Sequence, residues 1–219
     1  MRLQARDDAP PPVEAALSYV RDLRWAVVPG CDQGRHGRRC GRADCLTASP
    51  HPASQYGDLT PTQDEATVLR WWRRGPEAPI LLPAGLSFDL LDVPAYGAAE
   101  ALSRLDATGY RLRPIAQTSQ GRLLIWVVPG ARVLDEITTR RRWPYGDLDL
   151  HCHGVGAYVP APPSFGTRWL EPPTPYGHPR LLHCHDILGT VVHACELGRG
   201  ESHLGKPSAG VMRRTGRMR

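Results

Sequence analysis

The chain has 219 residues, 41% of them hydrophobic and 22% charged, enough for one sizeable core or two small ones. No apolar run approaches the roughly 20 residues that span a bilayer and no signal-peptide stretch opens the chain, so the composition predicts a cytoplasmic globular protein with no membrane partner. The formal charge is +5, but residues 199–219 supply all of it, with Arg199, Lys206, Arg213, Arg214, Arg217 and Arg219 set against Glu201 alone. The remainder is formally neutral, so basicity does not by itself mark the folded body as a nucleic-acid binder.

Residues 1–12, ending in Pro10-Pro11-Pro12, predict a flexible lead-in. Val13, Ala16, Leu17, Val20 and Leu23 recur at helical spacing and predict an amphipathic helix ending near Arg24. Residues 25–29 read as a buried strand closed by Pro29-Gly30. The stretch 30–61 has little periodicity and holds Cys31, His36, Cys40, Cys45 and His51, a long insert that needs an organiser. Thr62-Gln63-Asp64-Glu65 reads as a capping box in front of a second helix to about Arg74. Residues 80–82 and 88–93 read as strands joined by a turn at Pro83-Ala84-Gly85, followed by a third helix over 96–108. Strands at 115–118 and 123–128 flank Ser119-Gln120-Gly121, a short helix falls near 134–140, and strands follow at 148–150 and 157–159. A last helix over 186–197 stops at Gly198, within a C-terminal extension over 171–198, and 199–219 read as a disordered basic tail. This order predicts an α+β fold with mainly antiparallel sheets, flanking helices and a Cys/His-rich insert, the main domain covering 13–198.

Three constellations carry chemistry. Asp89 and Asp92 share one strand, where alternation sends them to opposite faces, while Asp147 and Asp149 share one face of another. Asp92 and Asp149 facing each other across neighbouring strands would hold Mg²⁺ or Mn²⁺; otherwise they are solvated strand-end carboxylates. Cys31, Cys40, Cys45 and His51 form C-x8-C-x4-C-x5-H, a donor set for a structural zinc that would tie down the insert, with His36 as a substitute ligand. The third group, His151, Cys152, His153, His183, Cys184, His185, His193 and Cys195, has no acidic pattern in support and is read as ordinary core and surface residues, a metal-dependent hydrolase using the His151/His153 and His183/His185 pairs being the weaker alternative. Arg70, Arg73 and Arg74 beside Trp71-Trp72, and Arg140 to Arg142 beside Trp143, combine cations with aromatics as single-strand binding surfaces do, or form solvated basic faces.

The landmarks Ala15-Ala16-Leu17-Ser18-Tyr19, Trp25-Ala26-Val27-Val28-Pro29, His51-Pro52, Val68-Leu69-Arg70-Trp71-Trp72, Ala78-Pro79-Ile80-Leu81-Leu82, the acidic strand 88–93 and Gly156-Ala157-Tyr158-Val159-Pro160-Ala161-Pro162-Pro163-Ser164 come in a familiar order. Over about 13–170 the chain resembles the N-terminal Prim-Pol domain of bifunctional DNA primase/polymerases, in the archaeo-eukaryotic primase superfamily and of the actinobacterial type. The resemblance implies metal-dependent nucleotidyl transfer, with nucleotides and DNA or RNA as partners. Its first motif puts two acids on one strand with one residue between; Asp92 matches, and Pro94 stands in the second place. Its second motif, Thr-x-x-Gly-Gly-x-His, meets Thr118-Ser119-Gln120-Gly121-Arg122-Leu123-Leu124, with Leu124 in place of the phosphate-binding histidine. Asp149 matches the third motif's acid. The resemblance therefore implies Asp92 and Asp149 as catalytic metal ligands, with Asp89 or Asp147 as stand-ins for the missing acid. Arg122 and Ser164 are the candidate nucleotide contacts. With two of four active-site positions substituted, transfer is expected to be weak or lost, and the alternative is a non-catalytic regulatory or protein-interaction module on the same scaffold.

Overall fold

The structure, a computed structural model, describes residues 10–31, 50–53, 59–109, 114–131, 145–174 and 181–204. Helix α1 (Pro12–Leu23) buries Ala15, Ala16, Tyr19, Val20 and Leu23, as its spacing predicts. It ends where Arg24 turns left-handed at φ 56 and Trp25 N–H donates back to the Tyr19 carbonyl at 3.0 Å. Helix α2 (Glu65–Arg74) packs on α1. Its N-cap is Asp64, which accepts from Thr67 N–H at 2.9 Å, and not Thr62, whose hydroxyl instead accepts from Asp64 N–H. Trp71 and Trp72 are buried, and Trp72 donates its indole N–H to the Ala78 carbonyl. Their rings belong to the core, so among the described residues Trp71 and Trp72 offer no aromatic platform beside Arg70, Arg73 and Arg74.

Strands β1 (Val28–Pro29), β2 (Ile80–Pro83), β3 (Asp89–Val93), β4 (Ile115–Gln117), β5 (Leu123–Val127), β6 (His151–His153), β7 (Tyr158–Pro160) and β8 (Arg168–Glu171) make two sheets, β1-β2-β7 and β6-β3-β5-β4-β8. Among the described residues every ladder between these strands is antiparallel, with one isolated parallel bridge from Val127 to Leu182, and the fold is α+β. The turn at Pro83-Ala84-Gly85 does not close a hairpin as expected, since β2 and β3 belong to different sheets. Gly85 sits at φ +91, and a Cβ there would lie 2.4 Å from Val155 backbone atoms, so only glycine fits this crossing. Pro29 and Pro160 lie on the two edge strands of the small sheet, where a missing N–H costs nothing.

Strand β5 is buried along its whole length because both faces are covered. Leu124 and Trp126, with Leu90 and Ala116, meet α1, α2 and the small sheet, while Leu123, Ile125 and Val127, with Leu91 and Val93, meet helices α3 (Ala95–Ala107) and α4 (Cys184–Leu204). Trp126 stacks in line with Trp25 and lies near Trp169 and Phe88, an aromatic seam between the layers. No helix among the described residues is long and apolar enough to cross a membrane.

Two local readings are overturned in the second half of the chain. Helix α4 does not stop at Gly198 but runs on to Leu204, so the stretch read as a disordered tail starts as helix. Gly198 serves close packing instead, because a Cβ there would lie 2.2 Å from the Tyr96 carbonyl oxygen on α3. The extension read over 171–198 packs into the domain: Glu171 ends a strand paired with β4, and Ile187, Val191 and Cys195 join the core under α3. The segment read as a strand over 148–150 is instead a 3-10 turn, Gly146–Leu148, with β6 starting only at His151. The helix expected near 134–140 lies outside the described residues.

Candidate functional site

The site lies at one end of three adjacent strands. In the register of β3 with its neighbours, Asp92 stands opposite Leu124 of β5 and opposite His151 of β6. Side chains directly across an antiparallel ladder share a face, so Asp92, Leu124 and His151 point to the side of α1 and the small sheet. Arg122, two residues before Leu124, shares that face. Its position is held by the turn, where Thr118 N–H donates to the Arg122 carbonyl and Arg122 N–H to the Thr118 hydroxyl. Gly121 supplies the positive φ of +82 that closes this turn. Asp149, just before β6, adopts φ +53, a left-handed conformation that Asp tolerates better than most residues.

These residues form one ion-pair ladder. Arg122 Nε donates to Asp92 Oδ1 at 2.6 Å and Nη1 to Asp149 Oδ2 at 2.5 Å, while Nη2 reaches the Asp149 carbonyl at 2.9 Å and the Asp92 carbonyl at 3.3 Å. His151 Nε2 lies 2.9 Å from Asp149 Oδ1 and His153 Nε2 3.4 Å from Asp92 Oδ2. All four carboxylate oxygens therefore face a nitrogen. Burial pulls the Arg122 guanidinium down, but the hydrogen bond and charge of Asp92, then those of Asp149, outweigh it and hold the group above the ordinary arginine value. Desolvation pushes Asp149 upward, but the hydrogen bonds from Arg122 and His151 prevail and hold its carboxyl below the usual range.

The other expected site residues are placed elsewhere. Asp89, 1% exposed, accepts from Gly130 and Ala131 N–H at 2.9 and 2.7 Å and pins the turn after β5. Asp147 is exposed, and its carbonyl accepts from Arg199 Nη1. Among the described residues, neither carboxylate bonds to Arg122, Asp92 or Asp149. The Ser164 hydroxyl, buried, accepts from Ile80 N–H at 2.6 Å and so holds the start of β2. Cys31 and His51 are neighbours, joined by Cys31 N–H donating to the His51 carbonyl at 2.9 Å. The chain thus leaves β1 at Cys31 and returns beside it at His51, while His36, Cys40 and Cys45 lie outside the described residues, as do Arg140 to Trp143.

Sequence reasoning grouped His151 and His153 with the other histidines and missed their place in the ladder. The signal was the alternation His151-x-His153 right after Asp149, which puts both imidazoles on one face of β6. His183 and His185 stack on each other at 5.1 Å before and within the start of α4, and His185 pairs with Asp186. Cys184 and Cys195 are buried, which pushes their thiols up to about 12 and about 11. Two of the cavities among the described residues bear on the site. One of about 270 Å³ lies beside the Arg122 turn and is lined by Thr118, Ser119, Gln120, Pro160, Phe165 and Thr167. A groove of about 430 Å³ along α1, with Tyr19, Trp169, Pro162 and Pro163 in its walls, contains no ladder residue.

A family model for the N-terminal domain of bifunctional DNA primase/polymerases, Prim-Pol, matches residues 16–180. The chain belongs to the Prim-Pol family. No curated protein and no solved structure gave a match. The matched stretch opens inside α1 and ends before α4, so this Prim-Pol domain closes its larger sheet with a helix from beyond the matched region. A divalent cation bridging Asp92 and Asp149 would need their oxygens within about 2.0–2.6 Å of it. In this Prim-Pol domain the inner oxygens already hold Arg122 at 2.6 and 2.5 Å, and the arrangement as it stands does not fit a metal.

Proposed function

We propose that this Prim-Pol domain binds nucleotides or nucleic acid in the cleft that opens beside the Arg122 turn, and that its metal-dependent nucleotidyl transfer is weak or lost. The family membership supports the first half. The observation that carries the second is the guanidinium of Arg122 seated between Asp92 and Asp149. Carboxylates that neutralise an arginine are not available to position metal ions for phosphoryl transfer. Leu124, at the place of the family's phosphate-binding histidine, is buried in the core and offers no polar atom, and Pro94 replaces the second acid of the first motif. Arg122, expected as a phosphate ligand, would have to leave its two carboxylates to become one.

Two measurements on the full chain test this reading. Primer synthesis and extension with Mn²⁺ and nucleotides is expected to match an Asp92→Ala, Asp149→Ala control; robust extension above that control overturns the loss of transfer. Fluorescent single-stranded DNA is expected to bind with an affinity that falls steeply with salt, helped by the basic 199–219 segment; no binding at low salt refutes the nucleic-acid half.

We also propose that Cys31, Cys40, Cys45 and His51 hold one structural zinc. The adjacency of Cys31 and His51 supports it, because two ends clamped by backbone bonds would present the first and last donors of the set together. Elemental analysis of the purified chain is expected to find about one zinc per molecule, lost in Cys40→Ser with a fall in melting temperature. Much less than one zinc in the wild type removes the proposal.

A further inference from the structure

The guanidinium of Arg122 is surrounded by oxygen on every bonded side. Asp92 and Asp149 each contribute one carboxylate oxygen, at 2.6 and 2.5 Å, and each also turns its backbone carbonyl toward Nη2. His151 and His153 stand behind, each against the outer oxygen of one carboxylate. Two charged and two neutral oxygens gathered about one guanidinium, with the carboxylates held from behind by imidazoles, are the donor types that a hard cation takes. The cation in place belongs to the chain itself.

We propose that Arg122 is a built-in counter-cation that fills a latent hard-cation site, so that Asp92 and Asp149 keep their charge balanced without a metal ion. The left-handed conformation of Asp149 supports the assignment, because it brings both the carboxylate and the carbonyl of one residue onto the same guanidinium. Tethering explains why a free ion does not displace it. Arg122 is presented to its two carboxylates at an effective concentration on the order of millimolar or higher, it bonds in a planar fork, and a divalent ion must shed water to compete. Removing the guanidinium leaves two carboxylates close together, one on β3 and one just before β6, and a hard divalent cation is the ligand that relieves their repulsion.

The test reads metal binding directly, with no DNA or nucleotide present, so it can fail or succeed independently of the proposed function. Mn²⁺ is titrated into the full chain and followed by the loss of its free electron-paramagnetic-resonance signal. The wild type is expected to bind no Mn²⁺ that depends on Asp149. Arg122→Ala and Arg122→Ser are each expected to gain about one Mn²⁺ per chain, bound about tenfold or more tighter than any site in the wild type. Adding Asp149→Asn to either variant is expected to abolish the gained site, which separates it from any ion held by the Cys/His insert. A folded Arg122 variant, verified by circular dichroism, that binds Mn²⁺ no better than wild type overturns the proposal. So does Asp149-dependent binding of equal strength in the wild type. Serine keeps a hydrogen-bonding group at the position and serves as the folded variant if alanine disturbs the turn.

Discussion

Asp92→Ala is expected to lower the folding free energy by about 2–4 kcal/mol, measured by urea denaturation. The side chains of Arg122 and Asp92 are 19% and 17% exposed, so their pair is largely withdrawn from water. Breaking a buried pair from one side leaves a charge that has lost hydration and partner together. In Asp92→Ala the guanidinium keeps only Asp149, whose side chain is 56% exposed and screened by solvent, while His153 loses its acceptor as well. Asp149→Ala is accordingly expected to cost less, under about 1 kcal/mol, as exposed pairs do. Replacing both partners, Asp92→Leu with Arg122→Met, is expected to recover most of the loss, because two apolar side chains of similar length need no counter-charge. A cost for Asp92→Ala below about 0.5 kcal/mol would show that the ladder contributes nothing to folding.

Gly198→Ala tests the helix packing under the same sheet. Intrinsic propensity predicts a gain, since alanine in a helix interior is favoured over glycine by about 1 kcal/mol. The packing of α3 on α4 predicts the opposite. A Cβ at Gly198 would lie 2.2 Å from the Tyr96 carbonyl oxygen and 2.9 Å from its carbon, and those are backbone atoms that no rotamer change moves aside. Gly97 repeats the arrangement in reverse, with its Cβ position 3.0 Å from Cys195 Sγ and 3.1 Å from Cys195 Cα, so the two helices touch through one glycine on each side. The helices must separate, uncovering Val191 and Leu105 in the core beneath, and a loss of about 2–3 kcal/mol is expected, a fall of several degrees in melting temperature. Gly189, on the same helix with nothing within 4 Å of its Cβ position, is the control: Gly189→Ala is expected to stabilise by about 0.5–1 kcal/mol. Equal gains at both positions would mean that α3 and α4 are not in the close contact described.

The elements that were legible are those whose signal is local. Helix α1 follows from apolar spacing, the Thr118 to Gly121 turn from its glycine, and β5 from a short apolar run between turns. The misreadings share one cause. Leu148-Asp149-Leu150 alternates like a strand and both leucines are buried, but they are buried from a 3-10 turn and the residues after it, with Asp149 left-handed. Gly198 looks like a helix stop because a glycine needed for close packing and one needed for a left-handed cap are the same letter. Asp89 and Asp92 do face opposite sides of one strand, as alternation predicts, but no local pattern showed their separate tasks, Asp89 tying a turn and Asp92 holding Arg122.

Asp92, Arg122 and Asp149 can each be picked out of the sequence, because residue identity is all that a motif comparison needs. The Prim-Pol membership of the chain and its α+β order are of that kind too. Only the tertiary structure decided that the arginine fills the space between the two acids instead of facing a phosphate. That outcome depends on the register of β3 against β5 and β6, which brings together residues 30 and 27 positions apart in the chain. An ion pair is a matter of a few ångströms, and no local pattern records it.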